Sequence, residues 1–343
     1  MSSLIIQFTG LAFGVAIAGT FLARSADRIA ELTGLGRLII GSLLLAAVTS
    51  LPELTVDIAA VRAGLTDIAV GDLFGSSLMN LFILACLDLA WRGERRMFSR
   101  EAASHALAAT LGIVLTGLAG AAVLTAHHIH NTTLFFGVSI WSWAILAAYL
   151  LGIRMLYLNQ RIALRAHKES ILQGDDGTDS DHDNDTSTHP AISIFTFFVA
   201  AIVILFAGPR LSHVAGELSE KSGLSGTFVG TTLVAITTSL PELVSSLTAL
   251  RMGAIDLAIG NAFGSNAFNM VLLFPLDVVH KDSIFASLSS AHTMTALAVM
   301  VTSAIAVLGQ LYQKKTRIPF FEPDAILMIF IIAGSMFIIF QLS

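Results

Sequence analysis

The sequence predicts an all-α polytopic membrane protein whose ten transmembrane helices form two inverted five-helix repeats. Three observations lead to this prediction: an apolar composition, a 44-residue segment that occurs twice, and an uneven distribution of Lys and Arg between the apolar stretches. Hydrophobic residues make up 55% of the 343 residues and charged residues only 13%. Because soluble domains carry about 25% charged residues, this composition indicates that lipid surrounds much of the chain.

Ten apolar stretches are long enough to cross a bilayer, which requires about 20 mainly apolar residues per helix. They cover residues 3–22, 36–61, 66–90, 104–124, 133–155, 192–213, 225–250, 255–278, 290–312 and 322–342. The first stretch is not a secretory signal, because Arg24 and Arg28 follow it and no basic residue precedes it. The single cysteine, Cys86, lies in an apolar stretch, which excludes a disulfide framework and a cysteine-based metal site.

Lys and Arg predict the orientation of the chain, because cytoplasmic loops carry an excess of both. With the N-terminus outside, 15 of the 19 Lys and Arg residues fall on inner connections. The outer connections hold the other four, namely Arg62, Arg210, Lys221 and Lys281. This bias predicts an integral protein of the cell (inner) membrane with both termini outside.

An internal repeat is the strongest signal in the sequence. Residues 41–84 and 230–273 align without a gap at an offset of 189, and 20 of the 44 positions are identical, including the blocks TSLPEL and FGS. The turn within the first copy, at Arg62, is predicted outside, and the turn within the second, at Arg251, is predicted inside. Inverted repeats place a substrate site near the membrane midplane, so the repeat predicts a transporter.

The repeat divides the chain into an N-terminal half (1–158), an acidic cytosolic linker (159–190) and a C-terminal half (191–343). The linker core, GDDGTDSDHDNDTSTHP, contains six Asp and almost no apolar residues, so it cannot form a packed core. Weak cation binding there is an alternative to a plain solvated linker, but the spacing of a calcium-binding loop is missing. The histidines His127, His128 and His130, in a predicted outer loop, receive the same solvated interpretation.

Each repeat contains a proline in the middle of an apolar span, Pro52 and Pro241, followed directly by Glu53 and Glu242. Proline lacks an N–H and breaks the helix, which frees backbone carbonyl oxygens four residues earlier. A simple kink is the alternative. Because an ionisable side chain at mid-span is costly and usually functional, the glutamates favour a cation site. Two carboxylates with carbonyl and hydroxyl oxygens form the ligand set that Ca2+ prefers.

The second helix of each repeat adds polar side chains four residues apart, which lie on one helical face. These are Ser76 and Asn80 in the first copy and Ser265 and Asn269 in the second. Glycines in the same helices, Gly71, Gly75, Gly260 and Gly264, are expected to let the helices approach closely. Asp72 extends the polar face of the first copy, where the second copy has Asn261. Asp72 is interpreted either as an interfacial helix cap or as a third charge of the site, which would draw cations toward its outer mouth.

The paired TSLPE and GxxxGSxxxN blocks resemble the two α-repeats of the cation/Ca2+ exchanger superfamily, in particular the prokaryotic members of its Na+/Ca2+ exchanger branch. The motifs cover about a quarter of the chain, and the five-plus-five layout fits most of the remainder. The resemblance implies an antiporter that exchanges Ca2+ for Na+ by alternating access. It implies no enzymatic activity, no cofactor, no nucleic acid and no obligate protein partner; the partners are the two transported ions and the lipid bilayer.

The resemblance also implies a set of cation ligands. Glu53, Glu242 and the carbonyls of Thr49 and Thr238 would hold Ca2+. The Na+ positions would use the glutamates together with the side chains of Ser50, Ser76, Ser239 and Ser265, the threonine hydroxyls, and the carbonyls of Ala46 and Ala235. Asn80 and Asn269 would complete the central position.

Other functions are weighed against this one. The H+-coupled branch of the superfamily has an acidic-His pair where this chain has Gly75–Ser76 and Gly264–Ser265, which favours Na+ over H+, although an H+/Ca2+ antiporter (or one for another divalent cation) stays an alternative. The K+-dependent branch has Asp at the position of Asn269, which argues against K+ cotransport. An intramembrane aspartyl protease is disfavoured because Ala69 replaces the first glycine of its GxGD motif. A channel is disfavoured by the inverted repeat.

Overall fold

The structure, a computed structural model, describes residues 2–91, 103–128, 134–172, 190–222, 236–280, 282–311 and 322–342. Helices account for almost all of these residues, as the composition predicts. The longer ones are α1 (Ser2–Thr33), α2 (Arg37–Thr49), α3 (Leu51–Arg62), α4 (Thr66–Ala90), α5 (Ala103–His128), α6 (Ile140–Leu172), α7 (Pro190–Ser222), α8 (Leu240–Arg251), α9 (Ile255–Val279), α10 (Ala291–Leu311) and α11 (Pro323–Leu342). A two-stranded antiparallel hairpin, β1 (Leu134–Phe135) and β2 (Val138–Ser139), precedes α6.

Within the described residues, seven helices are long and apolar enough to cross a membrane, and an eighth span results if α2 and α3 are counted together. The seven are α1, α4, α5, α6, α7, α9 and α10. Helix α11 is shorter in its apolar part, and the predicted span 225–250 is described only from residue 236. The predicted span 133–155 was placed too early, because the chain forms the hairpin first and α6 begins at Ile140. The chain is therefore a helical membrane protein, and the total of ten spans stays a prediction.

The predicted helix breaks coincide with the two prolines. Helices α2 and α3 bend by 41° at Ser50, and Pro52 lies in the first turn of α3. Pro241 lies in the first turn of α8 in the same way, after the non-helical residue Ser239. A missing N–H is harmless in the first turn of a helix, so proline starts the second segment of each broken pair.

Helices α2 and α9 cross in close contact at Gly260 and Gly264. A methyl group at Gly260 would lie 2.8 Å from the carbonyl oxygen of Leu38, and one at Gly264 would overlap the backbone of Ser42. Residues Ile40–Leu45 of α2, which face this crossing, adopt a π-helical conformation that the sequence did not predict. The close approach predicted from the glycines is therefore present in the second repeat, and it presses the polar face of α9 against the break in α2.

The long helices α1 and α7 lie side by side and cover the broken helices. Gly19 of α1 packs on Val244 of α8, and Gly208 of α7 packs on Pro52 of α3. The two glycines are separated by 189 residues, which is the offset of the repeat. The repeat relationship therefore extends beyond the aligned segments to the helices that cover them.

Two His–Asp pairs join the halves of the chain. His105 at the start of α5 lies 3.0 Å from Asp256 at the start of α9, and His292 at the start of α10 lies 3.0 Å from Asp67 at the start of α4. Each half contributes one histidine and one aspartate. By the charge-based topology, one pair lies at each membrane face.

Candidate cation site

The two glutamates that follow the prolines are buried in the centre of the molecule. Glu53 is 1% exposed and Glu242 is 2% exposed, and the two side chains are close enough for their charges to interact. Each lies in the first turn of its helix, α3 or α8. The N-terminus of a helix carries a partial positive charge, so both breaks place a carboxylate where the backbone stabilises it.

Hydrogen bonds between the repeats hold the breaks against each other. The Ser50 hydroxyl donates to a Glu242 carboxylate oxygen over 3.3 Å. The hydroxyl oxygens of Thr49 and Ser265 are 3.5 Å apart, and those of Thr238 and Ser76 are also 3.5 Å apart. The last two contacts are equivalent under the repeat offset. Each break therefore faces the second helix of the other repeat, so neither repeat forms the site alone.

Several buried oxygen atoms of the two repeats have no hydrogen-bond partner among the described residues. They are Oε2 of Glu53, Oε2 of Glu242, Oγ of Ser239, Oδ1 of Asn80 and Oδ1 of Asn269. All five belong to residues that the sequence predicts as ligands, and both repeats contribute. Leaving a buried acceptor without a partner is costly, and hard cations such as Ca2+ take oxygen ligands, so these atoms fit a cation site.

Carboxylates alone do not form this site. Across the part of the chain that the structure describes, no three His, Cys, Asp or Glu side chains converge in a way that would hold a metal ion. Hydroxyl, amide and carbonyl oxygens must therefore complete the shell around the glutamates. The Ala46 carbonyl already accepts the Ser50 N–H over 3.1 Å and the Thr49 hydroxyl over 3.3 Å. Its counterpart, Ala235, lies outside the described residues.

Asp57 is a buried acidic residue that the sequence interpretation missed. It is 1% exposed and lies one helical turn after Glu53 on α3. Its carboxylate is within hydrogen-bonding reach of Asp72, and both of its oxygens lack a hydrogen-bond partner among the described residues. The sequence signal for Asp57 is that it is a second acidic residue in an apolar span, four residues after Glu53.

The structure decides between the two interpretations of Asp72. Asp72 lies beyond the first turn of α4, is only 7% exposed, and its carboxylate is within hydrogen-bonding reach of the Thr238 hydroxyl. This position does not fit an interfacial helix cap, and it fits the alternative of a third charge beside the central site.

The second repeat has neutral side chains at these two positions. Ser246 is the counterpart of Asp57, and Asn261 is the counterpart of Asp72. The Asn261 amide donates to the Ser246 hydroxyl over 3.0 Å and to the Ser245 hydroxyl over 3.2 Å, while its Oδ1 lies 3.3 Å from the Thr49 hydroxyl. In the second repeat, the donors and the acceptor of the Asn261 amide therefore all have hydrogen-bond partners.

The acidic linker and the histidine cluster, for which the sequence leaves weak cation binding as an alternative, lie largely outside the described residues. The core of the acidic linker, residues 173–189, and His130 lie outside the described residues. The backbone of His127 and His128 ends α5, and their side chains are outside the description.

Comparison with known protein families gives a match over most of the chain. The family model for the sodium/calcium exchanger protein matches residues 3–153 and 192–340. These two segments leave out the acidic linker and contain both copies of the internal repeat.

Related proteins carry three different descriptions. The chain is 28% identical to inner membrane protein YrbG of Escherichia coli, covering 78% of this chain and 79% of that protein. It is 27% identical to sodium/calcium exchanger MaX1 of Methanosarcina acetivorans, covering 82% and 86%. It is 24% identical to Ca(2+)/H(+) antiporter ChaA of Bacillus subtilis, covering 79% and 75%.

A solved structure of the sodium-calcium exchanger NCX_Mj, soaked with Na+ and Sr2+, matches the fold with a TM-score of 0.69 and 20% sequence identity. The match covers 98% of each chain. At this level of identity, the comparison establishes the fold alone.

Proposed function

This chain belongs to the sodium/calcium exchanger family, and from that premise we propose that it exchanges Ca2+ for Na+ across a membrane. The observation that carries the proposal is the set of unpartnered buried oxygens that Glu53, Glu242 and polar side chains of both repeats contribute. A site that is built from both breaks changes shape when the repeats move against each other, as alternating access requires.

Competition for the glutamate pair explains the exchange. Glu53 and Glu242 supply two negative charges at a buried position, and either one Ca2+ or several Na+ neutralises them. Two uncompensated charges inside a membrane protein are very costly, so the empty site resists crossing the barrier. The covering helices α1 and α7, which pack through Gly19 and Gly208, would slide over the core once the site is filled.

The hydroxyl contacts support the assignment of Na+ as the coupling ion. Ser76 and Ser265 occupy the positions at which the H+-coupled branch has an ionisable pair, and each lies 3.5 Å from a threonine hydroxyl of the other repeat. Neutral hydroxyls are suited to coordinating Na+, and they neither gain nor lose a proton at ordinary pH.

An H+/Ca2+ antiporter is the second candidate. The similarity to a protein described as a Ca(2+)/H(+) antiporter and the two additional carboxylates at Asp57 and Asp72 favour it. The same two glutamates would then take protons in exchange for Ca2+.

The membrane arrangement is part of the proposal. We place ten spans in two inverted halves, 1–158 and 191–343, with the linker 159–190 inside, both termini outside, and the protein in the cell (inner) membrane. In a Cys86→Ala background, a cysteine at Arg62 would react with an impermeant thiol reagent from outside, and one at Arg251 only from inside. Both residues are exposed at helix ends, so labelling reports their side of the membrane.

Uptake of 45Ca2+ into proteoliposomes tests the coupling. An outward Na+ gradient drives uptake, whereas an outward K+ or choline gradient does not. If a pH gradient without Na+ drives equal uptake, the H+-coupled alternative replaces the proposal.

A further inference from the structure

The carboxylates of Asp57 and Asp72 have acceptor oxygens that receive no hydrogen bond from the described residues. Three of their four carboxylate oxygens, both of Asp57 and Oδ2 of Asp72, have no hydrogen-bond partner among the described residues. Both side chains are at least nine-tenths buried. Ionised carboxylates only accept hydrogen bonds, so two of them in contact require a positively charged species between them.

The second repeat shows what the position must supply. The Thr238 hydroxyl is within reach of Asp72 just as the Thr49 hydroxyl is within reach of Asn261. On the other side of Asn261, the amide hydrogens bind Ser246 and Ser245. The corresponding atom of Asp72 is a carboxylate oxygen that faces Asp57. The first repeat therefore lacks the N–H donors with which Asn261 binds its neighbours in the second repeat.

Charge balance shows that the central site does not compensate this pair. Glu53, Glu242, Asp57 and Asp72 carry four formal negative charges, and among the described residues no Lys, Arg or His forms an ion pair with any of them. One Ca2+ at the glutamates supplies two positive charges. The Asp pair also does not join the glutamates in one cluster of metal-binding side chains, so it is a separate position.

We propose that Asp57 and Asp72, with the Thr238 hydroxyl, bind one Na+ at a site separate from the Glu53–Glu242 site. This inference rests on the proposed function, which makes Na+ an ion that enters the molecule. A single proton bridges only two oxygens and leaves the third unpartnered, whereas a metal ion coordinates all three. Ca2+ takes six to eight oxygens, which is more than these three residues provide.

The position of this site predicts how it works. Asp57 lies one turn closer than Glu53 to the Arg62 end of α3, which the topology places outside. The Thr238 hydroxyl, which contacts Ser76 of the central site, also contacts Asp72. Na+ at the Asp pair would therefore orient the Thr238 hydroxyl, a ligand of the central site, and would do so only from the outer side. On the inner side the corresponding residues, Ser246 and Asn261, form a neutral pair.

The test compares the two repeats directly. The double variant Asp57→Ser with Asp72→Asn gives the first repeat the side chains of the second, a combination that this fold already accommodates. Equilibrium binding of 22Na+ to the purified full-length protein is expected to fall by one ion per chain. The Hill coefficient with which external Na+ inhibits 45Ca2+ uptake is expected to fall by about one. The conservative variant Asp57→Asn, which keeps the side-chain shape, is expected to lose the same ion.

Asp67→Asn is the matched control, because it removes an exposed carboxylate from α4 and leaves the Na+ count unchanged. An unchanged Na+ count in both the double variant and Asp57→Asn overturns the site and leaves a shared proton as the occupant. Failure of the proposed function is distinguishable, because it appears in the unmodified protein as Ca2+ uptake that needs no Na+, whatever the ion count of the variants.

Discussion

The two repeats place the same glutamate after the same proline, but they differ one helical turn further along. In the second repeat, Ser246 and Asn261 form a neutral hydrogen bond, and in the first repeat Asp57 faces Asp72. The backbone is shared, and the chemistry is not. From this difference we expect the two repeats to act together at the glutamates and separately beside them.

The largest expected effect comes from the part that the repeats share. Glu53→Gln and Glu242→Gln each remove one of the two central charges, so each is expected to lower Ca2+ transport at least about 30-fold, because losing one member of a buried charge site costs about 2–5 kcal/mol. Initial rates of 45Ca2+ uptake measure this loss. Glu31→Gln, at an exposed position, is the matched control. Near-normal transport by either site variant would show that the repeats are not equivalent at the glutamates.

An intermediate effect tests the symmetry of the backbone. Gly260→Ala is expected to destabilise the protein by about 1–3 kcal/mol, because its methyl group would press on the Leu38 carbonyl. Gly71 is its counterpart in the first repeat, where a methyl group would lie in ordinary contact 3.4 Å from the His292 ring, so Gly71→Ala is expected to cost less. Thermal unfolding in detergent measures both, with Gly334→Ala as a control in open space. An equal loss for Gly71→Ala would mean that both glycines are equally confined.

The smallest expected effect concerns the His–Asp pairs between the halves. Asp256→Asn and Asp67→Asn are each expected to cost less than about 1 kcal/mol, because both carboxylates are about half exposed. The loss should be larger for Asp256, since it also interacts with Arg37 and pairs with the more buried histidine. The same unfolding assay ranks them, and a larger loss at Asp67 would reverse the order.

The sequence predicted the elements of the fold that depend on local pattern. Apolar stretches marked the helices, Pro52 and Pro241 marked the breaks, and the glycines marked the crossing of α2 and α9. The hairpin before α6 was missed because its residues are as apolar as the helix that follows. The π-helical stretch of α2 was missed because no local pattern in its residues indicates it; the stretch contacts Gly260, which is far away in sequence.

The site was predicted as far as the repeat itself allowed. Glu53 and Glu242 stood out because charge is rare in an apolar span. Asp57 was missed because the two copies of the repeat differ at this position, so their alignment does not single it out. The burial of Asp72 was missed because it depends on the other repeat. The distance of Asp72 from the helix end in sequence does not show that the Thr238 hydroxyl contacts it.

Competition between Na+ and Ca2+ for one buried site is the central claim, and equilibrium binding tests it most directly. Purified protein is loaded with 45Ca2+ and titrated with Na+ at constant ionic strength, with choline as the replaced cation. The account predicts complete displacement of Ca2+, with an apparent Ca2+ affinity that falls more steeply than in proportion to Na+, because several Na+ replace one Ca2+. Ca2+ that remains bound at saturating Na+ would contradict it.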